Sequence, residues 1–168
     1  TRVEVHLQPD ARPVGQRDRV LGERLVRLRM YVGHVAGLRI GTEQTGDHGE
    51  PGHDTWEGDT WQRGGASVWM TGTYDPESNL TYWGTGNGSP WFGDQRPGDN
   101  LYASSTGAID PDSGELKGHF QYHWNDSWDW DEMNAPMVVD YEKDGQTIKG
   151  LIKPSRNGYL YWLERSPD

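Results

Sequence analysis

The chain's 168 residues are enough for one ordinary domain or for a piece of a larger one. Only 32% of them are hydrophobic, yet nine Trp and eight Tyr are present, which excludes a disordered segment and a large helical core. The lack of cysteine rules out disulfides and thiolate chemistry within these residues. The net charge of −10 argues against nucleic acid and for cations or basic protein partners.

Residues 1–40 hold eight of the twelve Arg, four acids and neither Trp nor Lys, a balance of about +4 against about −14 for the remainder. The run from Val20 to Met30 is compatible with a short amphipathic helix, although its apolar positions fit one face loosely and Gly22 weakens it. No apolar stretch approaches the roughly 20 residues of a membrane helix, and no signal-peptide pattern opens the segment.

From about Gly46 the texture changes to short β-type runs and turns. Ser67 to Tyr74 and Asn79 to Trp83, separated by Asp75-Pro76-Glu77-Ser78, predict a hairpin. Strands are expected at Leu101 to Ile109, Leu116 to His123, Met137 to Tyr141, Thr147 to Ile152 and Tyr159 to Leu163. Turns are expected at Asp112-Ser113-Gly114, Lys143-Asp144-Gly145 and Arg156-Asn157-Gly158. Such a meander suits a sandwich, a barrel or a propeller. The long Gly84 to Asn100 loop suits a connection between propeller blades, and Ala108-Ile109-Asp110-Pro111-Asp112-Ser113-Gly114 has the Ala-x-Asp-x-x-Ser/Thr-Gly form of certain propeller repeats.

Two clusters carry the chemistry: the run from Asn125 to Glu132, with four carboxylates and two Trp, and Asn87 flanked by Gly86 and Gly88 ahead of Trp91. Hard oxygen donors beside flat aromatic walls point to a metal and a planar cofactor. For Asn87 alone the plain reading is a turn residue; for the acidic run it is a solvated loop that binds nothing.

A set of motifs then narrows the choice. Gly49-Glu50-Pro51-Gly52-His53, Gly58-Asp59-Thr60-Trp61, Gly64-Gly65-Ala66-Ser67-Val68-Trp69, Thr85-Gly86-Asn87, Arg96-Pro97-Gly98-Asp99-Asn100, Asn125-Asp126-Ser127-Trp128-Asp129 and Arg156-Asn157-Gly158 stand in this order. Together they resemble the pyrroloquinoline-quinone (PQQ)-dependent methanol/ethanol dehydrogenases, the quinoprotein alcohol dehydrogenases. The resemblance covers residues 46–168 and implies an all-β fold, an internal fragment of about two to three four-stranded blades of an eight-bladed β-propeller. Residues 1–45 fit the family poorly, with a weak echo at Gly41-Thr42-Glu43-Gln44. A shifted reading frame upstream is one hypothesis for them, which an uninterrupted frame in the source DNA with no better match in another frame would dispose of.

By resemblance, Asn87 and Asp129 bind the ion that holds the quinone, and Asp129 is the base that takes the alcohol proton. Asp131, two residues on, stands where calcium-type members usually carry a small uncharged residue. A further anionic donor favours a lanthanide ion, with Ca²⁺ as the alternative. Trp69 would be the floor beneath the quinone, and Ser67, expected on the same strand face, would donate a hydroxyl to a cofactor carboxylate. Arg156 would donate to the quinone oxygens and stabilise charge as the cofactor is reduced, and Trp91 would wall the alcohol pocket.

The resemblance further implies oxidation of a small primary alcohol, a cytochrome c as electron acceptor, and a periplasmic location, and it leaves a homodimeric parent open. Another metal carboxylate of the family comes from a Glu upstream of Gly49. There the pattern is lost, and Glu23 lacks supporting neighbours. The fragment alone is therefore expected to be inactive. Two other classes stay open: a non-catalytic propeller scaffold or binding module, and a quinoprotein acting on sugars or aldehydes. Histidine-based zinc chemistry is not expected of the six His residues.

Overall fold

The computed structural model describes residues 52–165. The expectations for residues 1–45, including the helix from Val20 to Met30 and the role of Glu23, and the Gly49-Glu50-Pro51 part of the first motif, lie outside the described residues. Within them, nine strands follow in chain order: β1 (Gly65–Ala66), β2 (Thr73–Asp75), β3 (Leu80–Gly84), β4 (Gly88–Ser89), β5 (Ser105–Ile109), β6 (Leu116–Gln121), β7 (Met137–Lys143), β8 (Gln146–Pro154) and β9 (Leu160–Glu164). Helical structure among these residues is confined to single 3-10 turns at His53–Thr55, Thr60–Gln62 and Gly93–Gln95.

The strands form antiparallel sheets. One runs β2-β3-β5-β6, a complete four-stranded blade; a second runs β7-β8-β9, and β1 pairs only with β4. Local turn chemistry sets the registers. In the β7–β8 hairpin Lys143 faces Gln146 across Asp144 and Gly145, both at positive φ (53° and 76°), the geometry whose twist matches that of the strands. Between β2 and β3 the Asp75 carboxylate accepts from the Glu77 N–H at 3.1 Å and the Ser78 hydroxyl at 2.6 Å, closing the expected reversal. Between β5 and β6 Asp110 Oδ1 accepts from the Asp112 N–H at 2.8 Å, and Gly114 takes φ 78°.

Three local expectations need correction. The run from Ser67 to Tyr74 is not one strand, because only Thr73 and Tyr74 pair, with β3, and Ser67 to Thr71 carry no ladder. Ser67 and Trp69 therefore do not share a strand face. Leu101 to Ser104 form a turn, and β5 starts at Ser105. The loop from Gly84 to Asn100 lies between β3 and β5, which are neighbours in one sheet, so it is an excursion within a blade rather than a connection between blades.

Strand β3 is buried along its whole length because it is covered on both faces. Leu80 and Tyr82 pack on one side with Leu151 of β8, joined by Ala108, Val138 and Leu163; Trp83 packs on the other side with Ile109, Val68 and Leu116. The alternation follows the two-residue period of a strand. At one end of the paired sheets Arg165, almost fully buried, bonds both Asp75 of β2 and Asp140 of β7, linking the blade to its neighbour. Thr73 adds a bond to the Pro136 carbonyl at 2.7 Å.

Candidate cofactor and metal site

The excursion from Gly84 to Asn100 is shaped by Arg96, whose side chain is fully buried. It donates to the carbonyl oxygens of Pro90 at 2.7 Å and Trp91 at 3.0 Å, to Asn100 Oδ1 at 2.5 Å, and to the Asp126 carbonyl. Burial lowers the affinity of the guanidinium for its proton while Asp126 opposes that, and four acceptors keep it a satisfied cation. Two distant loops, that of Trp91 and that of Asp126, are thereby tied to one side chain. Gly93 reinforces the tie: its N–H donates to Ser127 Oγ at 2.8 Å, and its carbonyl accepts from Asn125 Nδ2 at 3.2 Å.

Pairing of Gly65 with Ser89 and of Ala66 with Gly88 lays the segment from Ser67 to Trp69 beside Asn87, and the Gly86 N–H closes the approach on the Ser67 carbonyl at 2.9 Å. A Cβ on Gly86 would lie 2.6 Å from the Trp69 ring and 2.8 Å from Asp131 Oδ1, so glycine is required where indole and carboxylate converge. Asp131 Oδ1 accepts the Asn87 N–H at 3.0 Å, and the Glu132 N–H donates to the Thr85 carbonyl at 3.0 Å. Thus residues 131 and 132 run alongside residues 85–87. Ser67, Asn87 and Trp91 line one cleft of about 400 Å³, together with Arg63, Ser89 and the glycines between them.

The acidic run is not a uniformly solvated loop. Asp126 is buried and accepts the N–H groups of Trp128 at 2.9 Å and Trp130 at 2.8 Å, folding the chain back on itself. Asp129 then stands exposed with φ 63°, an uncommon conformation for a non-glycine residue, while Trp128 and Trp130 stack on each other at 5.3 Å. Glu132 is buried again.

The structure therefore brings Ser67, Trp69, Asn87, Trp91 and Asp131 together. It leaves Asp129 exposed at the edge of the same loop, and Arg156 exposed, joined to the group through its main-chain N–H, which donates to Glu132 Oε1 at 3.0 Å. Among the described residues no three His, Asp or Glu side chains form a group able to hold a metal, so these donors make at most part of a coordination shell. The residues present do fit the groups in question. Trp69 is 54% exposed and keeps indole surface open for stacking, and Asn87 turns Nδ2 to the Gly88 carbonyl, which leaves Oδ1 as its oxygen donor for a cation.

Sequence reasoning missed the polar interior behind this site. Glu132 accepts from Lys153 Nζ at 2.6 Å and His123 Nε2 at 2.8 Å, and also from the Ser155 hydroxyl. Burial alone would raise the Glu132 carboxyl, but the Lys153, Ser155 and His123 donors outweigh it and hold it below the ordinary carboxylate value. One signal was available: Lys153 follows Ile148, Leu151 and Ile152 in a strand pattern, where a cation requires a buried partner. Nothing local pointed to Glu132 as that partner.

A protein-family model described as the β-propeller domain of PQQ-type glucose/ethanol/alcohol dehydrogenases matches residues 44–167. The chain belongs to this family. Among its quinoprotein relatives, the quinoprotein alcohol dehydrogenase PedH of Pseudomonas putida is 48% identical over 118 residues, 70% of this chain and 20% of that protein. Subunit 1 of the methanol dehydrogenase [cytochrome c] of Methylobacterium organophilum is 44% identical over 116 residues, 68% of this chain and 18% of the relative. A solved europium-containing methanol dehydrogenase superposes with a TM-score of 0.65 at 37% identity, covering 70% of this chain and 21% of that one. The chain thus spans about a fifth of the length of these relatives, and its sheets are part of a PQQ-type β-propeller domain. No helix among the described residues is long and apolar enough to cross a membrane.

Proposed function

We propose that the chain is the cofactor-facing part of a longer PQQ-dependent dehydrogenase that oxidises a small primary alcohol to its aldehyde. The observation that carries this reading is the meeting of Trp69 and Asp131 over Gly86, with Asn87 bonded to Asp131. An aromatic plane beside hard oxygen donors suits a planar quinone held by a large cation. When bound, the metal-polarised quinone supplies the hydride acceptor.

The residues have separate tasks in this reading. Trp69 stacks beneath the cofactor and Ser67 donates to one of its carboxylates. Asn87, Asp129 and Asp131 bind the cation, with Asp131 favouring a lanthanide over Ca²⁺ through its extra negative charge. Asp129 removes the hydroxyl proton of the alcohol, its exposed position giving it access to substrate. Arg156 donates hydrogen bonds to the quinone oxygens and stabilises developing negative charge. Trp91, on the rim of the cleft, limits the size of the alcohol. A periplasmic location, a cytochrome c as electron acceptor and a homodimeric parent complete the proposal. The fragment alone is inactive in this reading, because a propeller with missing blades leaves strand edges and half of the pocket exposed.

The test is reconstitution of the full-length protein with PQQ and either Ca²⁺ or La³⁺, followed by assay of ethanol, methanol and glucose with an artificial electron acceptor. La³⁺-supported oxidation of ethanol or methanol is expected. Turnover of glucose alone would replace the alcohol with a sugar. Absence of both quinone binding and turnover would leave a non-catalytic propeller and overturn the proposal.

A further inference from the structure

Buried Glu132 touches the segments of Asn87 and Arg156 in the proposed site without belonging to its donors. Its main-chain N–H holds the Thr85 carbonyl at 3.0 Å, two residues before Asn87, and its chain neighbour Asp131 holds the Asn87 N–H. Its Oε1 accepts the Arg156 N–H at 3.0 Å, together with His123 and the Ser155 hydroxyl, and its Oε2 accepts Lys153 at 2.6 Å. Lys153 is fully buried and is itself fixed by Asn134 Oδ1 at 2.6 Å. Both oxygens are thus occupied by protein donors. Although it adjoins Asp131, Glu132 is closed to a cation.

A buried ion pair of this kind is no more stabilising than well-packed apolar residues of similar volume, so its presence calls for a positional explanation. One lies at Arg156. The arginine follows the end of β8 directly after Ser155, its side chain is exposed, and no side-chain contact among the described residues holds its guanidinium. Its main-chain N–H is held only by Glu132. That bond sets where the side chain leaves the turn from Ser155 to Gly158, and so the direction in which a long, flexible group can reach.

We propose that Glu132, neutralised by Lys153, is a positioning residue that fixes Arg156 relative to the segments of Asn87 and Asp131, so that the guanidinium meets the cofactor. This rests on the quinone reading above. A neutral acceptor at position 132 therefore suffices, provided that Lys153 is neutralised with it.

The test compares two double variants of the full-length protein, Glu132→Gln with Lys153→Met and Glu132→Met with Lys153→Met. Both remove the ion pair, but only the first keeps an oxygen for the Arg156 N–H. Free PQQ is titrated in the presence of La³⁺ and followed by quenching of tryptophan fluorescence, with Tm measured in parallel. The Met/Met pair should bind PQQ about tenfold more weakly than the Gln/Met pair, the scale of loss when a ligand's supporting partner is removed. The difference should vanish when Arg156→Ala is added to both, since the effect passes through that residue. A purely structural role would leave the difference in place in the Arg156→Ala background, and that result overturns the assignment, as does equal affinity of the two pairs. If the Met/Met protein does not fold, Glu132→Asp serves instead: it keeps the charge for Lys153 but shortens the reach to Arg156. A similar loss is then expected, and unchanged affinity overturns the assignment. Failure of the unsubstituted protein to bind PQQ overturns the quinone reading and this assignment together; binding with no difference between variants overturns this assignment alone.

Discussion

The carboxylate of Asp131 accepts the main-chain N–H of Asn87 at 3.0 Å across 44 positions of sequence. A side chain proposed as a metal ligand is thus oriented by the backbone of another, and the two loops are held in register before any ion arrives. Such preorganisation lowers the ordering cost of binding.

Replacing Asp131 by Ala in the full-length protein removes both a proposed donor and the acceptor for that N–H. La³⁺-supported turnover should fall by more than about 100-fold, beyond the usual effect of losing an outer-shell partner. Steady-state assays across a La³⁺ titration check this; unchanged turnover would discard Asp131 as a ligand.

Gly86→Ala forces a methyl group into the space shared by Trp69 and Asp131, at 2.6 and 2.8 Å. Overpacking of this kind costs about 1–3 kcal/mol. We expect a lower Tm and weaker PQQ-dependent quenching of tryptophan fluorescence, because the indole must shift. A variant with native Tm and native quenching would contradict the close approach.

Leu151→Ala tests the interface between the two sheets. Leu151 is buried against Leu80 and Tyr82, so truncation leaves a cavity and should cost about 2–5 kcal/mol. Denaturant unfolding of the full-length protein supplies the measurement; a loss well under 1 kcal/mol would mean the sheets do not pack as described.

The acid limb of the stability curve should depend on Asp75. Burial raises its carboxyl, but the Ser78 hydroxyl, the Glu77 N–H and Arg165 outweigh burial and hold it below its ordinary value of 3.8. A carboxyl lowered on folding contributes stability that is full above its unfolded pKa and is lost as pH falls through its folded pKa. Tm measured from about pH 5 downward should therefore drop more steeply for the native protein than for Asp75→Asn. Parallel curves would remove Asp75 from the account.

Turns with their own chemistry were legible from sequence. Asp144-Gly145, Asp75 to Ser78, and Asp110 to Gly114 each close through short-range bonds or positive φ, so the residues that specify them are adjacent. Ser67 to Trp69 were misread because an extended segment and a paired strand share the same residue preferences. What decides between them is a partner, and the nearby partner, β4, reaches only Gly65 and Ala66. The acidic run was harder still. The Asp126 carboxylate turns onto the N–H groups of Trp128 and Trp130, but its carbonyl is held by Arg96 and the Glu132 carboxylate by Lys153, 30 and 21 positions away, and no local pattern records those long-range bonds. For the site, the resemblance named Ser67, Trp69, Asn87, Trp91, Asp129, Asp131 and Arg156 together; the fold leaves Asp129 and Arg156 exposed, and the brace behind Arg156 emerged only from the fold.

Arg96 has a practical consequence for redesign. Because a single guanidinium joins the backbone at Pro90 and Trp91 to that at Asp126, neither loop's backbone can be rerouted by itself. A chimaera intended to alter alcohol preference at Trp91 must keep the grafted carbonyls on the path that meets Arg96, or it will inherit a buried cation with missing acceptors.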